Sequence, residues 1–197
     1  MIPDKIIFFA LSLNLLGHIL YIRSVIRGQA KPNLASWIPW MLAPLVGVFF
    51  QLKAGAGLSV LPVFMAGFGP MIIIIAALLS KNSLWKLKTI DLFCFGFSIF
   101  ALVLYVLTHN LALSIIFAIL SDALAFIPTY IKAWKFPESE SVHAYSWAIL
   151  SNIIGLLIIR EWIFTIYSFG IYLVVANGIF VLILYRRKLF SKFLRNY

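Results

Sequence analysis

Charged residues in this chain fall in short clusters, separated by uncharged stretches as long as 32–52 and 54–80. Stretches of that length can cross a bilayer core, which takes about 20 residues as helix. The windows with little or no charge predict seven helices, near 6–22, 34–52, 58–80, 90–108, 111–134, 144–160 and 163–185. One break has to be placed by length. As a single helix, the uncharged run 92–121 would reach ~45 Å at 1.5 Å per residue, against a core of about 30 Å, so a turn is expected at Thr108-His109-Asn110. The first apolar stretch carries Asn14 and His18 and no small-residue cleavage pattern follows it, so it reads as a spanning helix, not a removable signal peptide.

Composition agrees. Of 197 residues, 63% are hydrophobic and 11% charged, with a mean hydropathy of +1.05, far from the usage of a soluble domain. The expected fold class is therefore all-α integral membrane, with the lipid bilayer as its first partner. Cys94 is the only cysteine, which rules out an intrachain disulfide and leaves it a packing role at lipid depth.

A formal charge of +10 would suggest nucleic acid if topology did not account for it. With seven helices, 13 of the Lys and Arg residues fall on one side of the membrane, and only Lys5, Lys53 and Arg160 on the other. Fusing the fourth and fifth helices would divide the same residues 7 against 9 and leave the positive-inside rule nothing to act on. The N-terminus is thus expected outside and the C-terminus in the cytoplasm. The basic tail 187–197 would lie on the inner leaflet, each Lys or Arg worth about 1 kcal/mol against anionic lipid. No nucleic-acid role is expected.

Sliding the chain on itself by about 110 residues aligns Ser36-Trp37 with Ser146-Trp147, Gln51 with Glu161 and Ala66 with Ala176. One gap brings the YIR at 21–23 onto the YIK at 130–132. Two three-helix copies pointing the same way need an extra helix between them, because three is odd. The predicted plan is two parallel three-helix repeats, 1–81 and 111–186, joined by a linking helix within 82–110, with the basic tail 187–197 beyond them. Parallel repeats of this kind occur in secondary transporters, whose substrate sites lie near the midplane between repeats.

This three-plus-one-plus-three plan, the N-out orientation and the string IPTYIKAWKFPESESVHAYSWAILSN at 127–152 resemble the PQ-loop superfamily, which includes SWEET sugar transporters, SemiSWEETs and lysosomal amino-acid exporters. Pro128-Thr129 stands at the family's Pro-Gln pair, Lys132 and Lys135 at its basic positions, and Asn177 at the asparagine that faces the pore in its last helix. The chain departs from the pattern at Thr129, which replaces glutamine. It departs again at Ile19, where the first repeat should have proline, and at Gly67, where it should have the pore asparagine. The stretch RGQAKPNLASWIPW at 27–40 is similar to uncharacterised bacterial membrane proteins, which implies a bacterial inner (plasma) membrane location. The resemblance implies transport of a small polar solute such as a sugar, amino acid or vitamin-like compound; it does not fix the substrate.

Asp122 lies ~16 Å along the fifth helix, near the bilayer centre. An ionised acid there costs roughly 2.5–3.5 kcal/mol to insert, so it should face the bundle interior, be protonated or have a partner. It reads either as a proton-coupling or cation-binding carboxylate, or as a neutral acid bonded to another helix. Asp4, Asp91, Glu138, Glu140 and Glu161 fall at helix ends or in loops. Asn14 and His18, four apart, share one helix face, and Asn14 matches Asp122 within one residue in repeat register. Both are candidates for a solute site or for interhelical glue. Trp37, Trp40 and Trp147 begin helices, where tryptophan either anchors at the interface or forms an aromatic platform. Asn152 and Asn177 lie deeper, with donors and acceptors suited to a neutral polyhydroxyl or zwitterionic ligand.

Pro128 leaves the Leu124 carbonyl without its helical donor; Pro39, Pro44, Pro62 and Pro70 act similarly. Pro44, Pro70 and Pro128 are the candidate hinges, with static kinks as the alternative. The sequence shows no metal-ligand spacing, phosphate loop, nucleophile with a base or paired carboxylates, and His109 and His143 are loop residues. No enzyme, cofactor or metal is expected. The expectation is a solute transporter working by alternating access, with proton coupling through Asp122 as one option. The alternative is a non-transporting receptor or assembly protein, and the choice between monomer and homo-oligomer stays open.

Overall fold

The computed structural model describes residues 5–80, 84–108 and 110–194. Asp4, Lys81, His109 and Arg195 lie outside the described residues, as do the side chains of Arg187, Lys188 and Lys192. Among the described residues there are seven α-helices and no strand: α1 (Ile6–Ile26), α2 (Leu34–Lys53), α3 (Leu61–Leu79), α4 (Thr89–Leu107), α5 (Leu111–Lys135), α6 (His143–Leu157) and α7 (Phe164–Leu194). Short 3-10 turns, Leu58–Val60 and Pro137–Ser139, precede α3 and α6.

Five of these helices are long and apolar enough to cross a bilayer: α1, α2, α3 with its 3-10 lead-in, α5 and the Phe164–Arg186 part of α7. Helix α4 is apolar along Thr89–Leu104, while α6, with 15 residues, spans ~22 Å at 1.5 Å per residue. The window 144–160 had put the end of α6 three residues later. Arg160 and Glu161 follow, and the chain turns before them.

The helix boundaries have local causes. Asn33 Oδ1 accepts from Ala35 N–H at 3.1 Å to start α2. At the break between α4 and α5, Thr108 Oγ1 donates to the Leu104 carbonyl at 2.7 Å, and Asn110 Oδ1 accepts from Ala112 and Leu113 N–H at 2.9 and 3.2 Å. An Asn cap of this kind is worth ~1 kcal/mol. Asn110→Ala should therefore speed amide exchange at Ala112 and Leu113 and lower the unfolding midpoint slightly; unchanged exchange would show that the cap is idle. Gly28 and Gly55 end α1 and α2 at φ 70° and 88°, a left-handed conformation that a Cβ opposes.

Six helices close into a ring in the order α1, α3, α2, α5, α7, α6, with α6 returning to α1. Helix α4 lies outside it, against α5 and α2, where Ser121 Oγ donates to the Ser98 carbonyl at 2.8 Å. The bundle is inside-out relative to a soluble protein. Phe9, Leu79, Phe97, Leu107 and Leu182 are exposed on the outside, whereas Asn14, His18, Asp122, Thr129, Lys132, Asn152 and Asn177 are buried. In lipid this is the stable arrangement, since polar groups find partners only inside. The protein is membrane-embedded.

The prolines are absorbed without breaking the helices. Pro39 and Pro44 lie within α2, Pro70 within α3 and Pro128 within α5, all buried. Pro62 is a correction. It occupies the first turn of α3, where no helical donor is lost, and packs against Gly155 of α6.

Candidate functional site

A cavity of about 50 Å³ lies at the ring's centre, and every ring helix contributes to its wall. His18 comes from α1, Trp37 and Trp40 from α2, and Ala66 and Pro70 from α3. Helix α5 supplies Asp122 and Phe126; α6 supplies Ala144, Tyr145, Ala148 and Asn152; α7 supplies Leu173 and Asn177. The volume holds about three or four waters.

Asp122 is 1% exposed and fastened from two sides. Tyr172 O–H on α7 donates to Asp122 Oδ2 at 2.8 Å, and Trp40 Nε1–H on α2 donates to the Asp122 backbone carbonyl at 3.2 Å. Thr129, the residue in place of the family's glutamine, donates from Oγ1 to Ser36 Oγ on α2 at 2.7 Å. Asn152 and Asn177 make matching bonds. Each Nδ2 donates to the carbonyl four residues back, to Ala148 at 2.9 Å and Leu173 at 2.7 Å. Asn152 Oδ1 and Trp37 Nε1 are left without a partner.

Of the sequence candidates, the cavity brings together His18, Trp37, Asp122, Asn152 and Asn177. It does not include Asn14 or Trp147. Asn14 is buried with an unpartnered Oδ1, but it sits one turn away from His18 and off the wall. Trp147 packs against Gly17 of α1, so a Cβ on that glycine would lie 2.7 Å from the indole. The anchor role fails for Trp37 and Trp40, which are 2% and 5% exposed and form cavity wall. Sequence position alone could not separate the two tryptophan roles, because both begin a helix.

The end of the bundle that carries most of the basic residues is closed by a polar network that the sequence did not announce. Lys132 pairs with Glu140 and also donates to the Lys31 carbonyl; the two side chains are 1% and 0% exposed. Glu140 Oε2 accepts from Tyr21 O–H at 2.7 Å and Tyr145 O–H at 3.3 Å. Trp85, in the connection between α3 and α4, lays its ring 5.0 Å from the Lys132 ammonium while its backbone N–H donates to the Pro32 carbonyl. The sequence places Lys132 among the basic residues on one side of the membrane and Glu140 among the acids at helix ends or in loops. Both are interior groups, because each neutralises the other where water is excluded. The signal available was their separation of eight residues, across one short loop.

At the opposite end a cleft of about 360 Å³ opens between the turns at 55–59 and 158–161. Among the described residues no cluster of three or more His, Cys, Asp or Glu could hold a metal ion. No family model, curated protein or solved structure matches the chain.

Proposed function

We propose that the protein transports a small polar solute across the membrane by alternating access, with Asp122 as the proton- or cation-carrying group. The central cavity carries this reading: six helices share one site, largely apolar in its lining, into which a single carboxylate and the side chains of His18, Asn152 and Asn177 are gathered.

The helix packing supports a three-plus-one-plus-three arrangement. Helix α3 packs against both α1 and α2, as α7 packs against both α5 and α6. Exchanging the triplets turns the α1–α6 contact into the α5–α2 contact, and both occur. Helix α4, outside the ring, is the linker. With the basic end taken as cytoplasmic by the positive-inside rule, the N-terminus is outside. The Lys132–Glu140 network then closes the cytoplasmic end, and Pro44, Pro70 and Pro128 are the hinges about which the triplets rock. Tyr145 joins gate to site, with its ring on the cavity and its hydroxyl on Glu140.

In proteoliposomes loaded with a solute mixture, Asp122→Asn is expected to abolish uptake driven by a pH gradient while leaving exchange partly intact. Unchanged pH dependence would sink the coupling. The cavity's small volume favours one other reading, a receptor or assembly protein whose buried polar groups only lock the bundle. That reading requires that no solute is moved across the membrane by the folded protein.

A further inference from the structure

The groups that face the cavity are unequally spent. Its donors are largely committed: Trp40 Nε1–H to the Asp122 carbonyl and Tyr145 O–H to Glu140, with Tyr172 O–H behind the wall holding Asp122 Oδ2. The amide nitrogens of Asn152 and Asn177 donate to their own helix. What the wall retains is the Asp122 carboxylate and the unpartnered Asn152 Oδ1 as acceptors, His18 Nδ1, which takes either role by tautomer, and Trp37 Nε1 as the unspent indole donor. A ligand completing these valences has to bring hydrogen-bond donors.

Charge points the same way. Asp122 is the one acidic residue in the wall, and no Lys or Arg lines it. The nearest network cation, Lys132, is already paired with Glu140. An anion would meet the carboxylate unscreened. A cation would neutralise a charge that is costly to leave alone at this depth.

Four aromatic rings share the remaining wall with small and aliphatic residues such as Ala66, Pro70 and Leu173. Trp40 lies 4.4 Å from Phe126 and 5.4 Å from Trp37, centroid to centroid, and Tyr145 lies 6.4 Å from Trp40 and 6.5 Å from Trp37. Ring faces carry negative potential and hold ammonium groups, best when water is excluded. A polyhydroxyl ligand needs several donors from the wall as well as acceptors, and few are left: Trp37 Nε1 and, in one tautomer, His18 Nδ1.

We infer that the central cavity is a site for a small organic amine, whose ammonium group pairs with Asp122 and Asn152 Oδ1 against the faces of Trp37, Trp40, Phe126 and Tyr145. This names the solute class and rests on the transport reading. The cavity of about 50 Å³ seats the ammonium group, and the body of a larger amine requires the aromatic wall to yield.

The test uses four probes on the purified full chain in micelles, by isothermal titration calorimetry: benzylammonium, its neutral and anionic analogues benzyl alcohol and benzoate, and glucose. Benzylammonium is expected to bind at least ~10-fold more tightly than benzyl alcohol, the ratio that one modest charge interaction confers. Benzoate and glucose are expected not to bind. Asp122→Asn should erase the preference for the ammonium without moving the unfolding midpoint, and Trp40→Phe should weaken binding while keeping the preference. Equal binding of benzylammonium and benzyl alcohol overturns the inference, as does retention of the preference in Asp122→Asn. Uptake of the four probes into proteoliposomes separates the two levels: glucose or benzoate moving without benzylammonium overturns the amine class and leaves transport standing. No binding and no uptake of any probe by folded protein overturns both.

Discussion

Glu140→Ala should be the most damaging single substitution in the chain. It strands the Lys132 ammonium, 1% exposed, without its counter-ion, and removes the shared acceptor of the Tyr21 and Tyr145 hydroxyls. Breaking a buried pair from one side costs about 3–5 kcal/mol, because the remaining charge keeps its desolvation penalty and loses its compensation. Measured as the unfolding midpoint of the purified protein in micelles, Lys132→Met should cost less than Glu140→Ala, since it leaves a carboxyl still held by two hydroxyls. The double variant Lys132→Met/Glu140→Leu should recover most of the loss, because both charges and both penalties go together. Additive losses in the double variant would show that the ion pair is not the unit that holds this end. Under the transport reading the same double variant folds but turns over slowly, since an apolar contact replaces a pair that water can open.

Gly69→Ala should cost about 1–3 kcal/mol, the usual range for overpacking a tight interior. A Cβ at that position would lie 1.8 Å from His18 Nε2 and 2.3 Å from two ring carbons, so the imidazole has to move. His18 lines the central cavity, and the space it can take is the cavity itself. The variant should therefore lose solute binding by more than its stability loss explains. His18→Ser added to Gly69→Ala should restore the midpoint, because the clashing ring is gone. Failure of that rescue, with the double variant no more stable than Gly69→Ala, would place the strain elsewhere.

The two substitutions mark where sequence reasoning reaches and where it stops. All seven helices were visible as windows nearly free of charge, and even the α4–α5 break followed from a length that no bilayer accommodates, with Asn110 supplying the cap. Burial of Asp122 was equally legible, since an acid at that depth has to turn inward. Glu140 was not. Eighteen residues after Asp122 and outside any apolar window, it looks like a solvated loop acid, and only the fold of 136–142 back beneath Lys132 makes it interior. Trp37 and Trp147 make the same point, identical in local context and opposite in fate: one faces the cavity, the other fills the groove left by Gly17.

Residue order alone is enough for the membrane-embedded helical class, the number and approximate place of the helices and the short list of polar residues that had to be inside. These follow from solvent: apolar length, charge spacing and capping are local properties, and the bilayer acts on each segment separately. Which buried groups meet was decided by the ring of six helices. It set Asp122 beside Tyr172 and Trp40, gathered the aromatic wall from α2, α5 and α6, and left Asn14 off the cavity. Those meetings depend on helix rotation and close approach, which are set by side chains on several helices at once, with glycines such as Gly17 and Gly69 admitting what a Cβ would exclude.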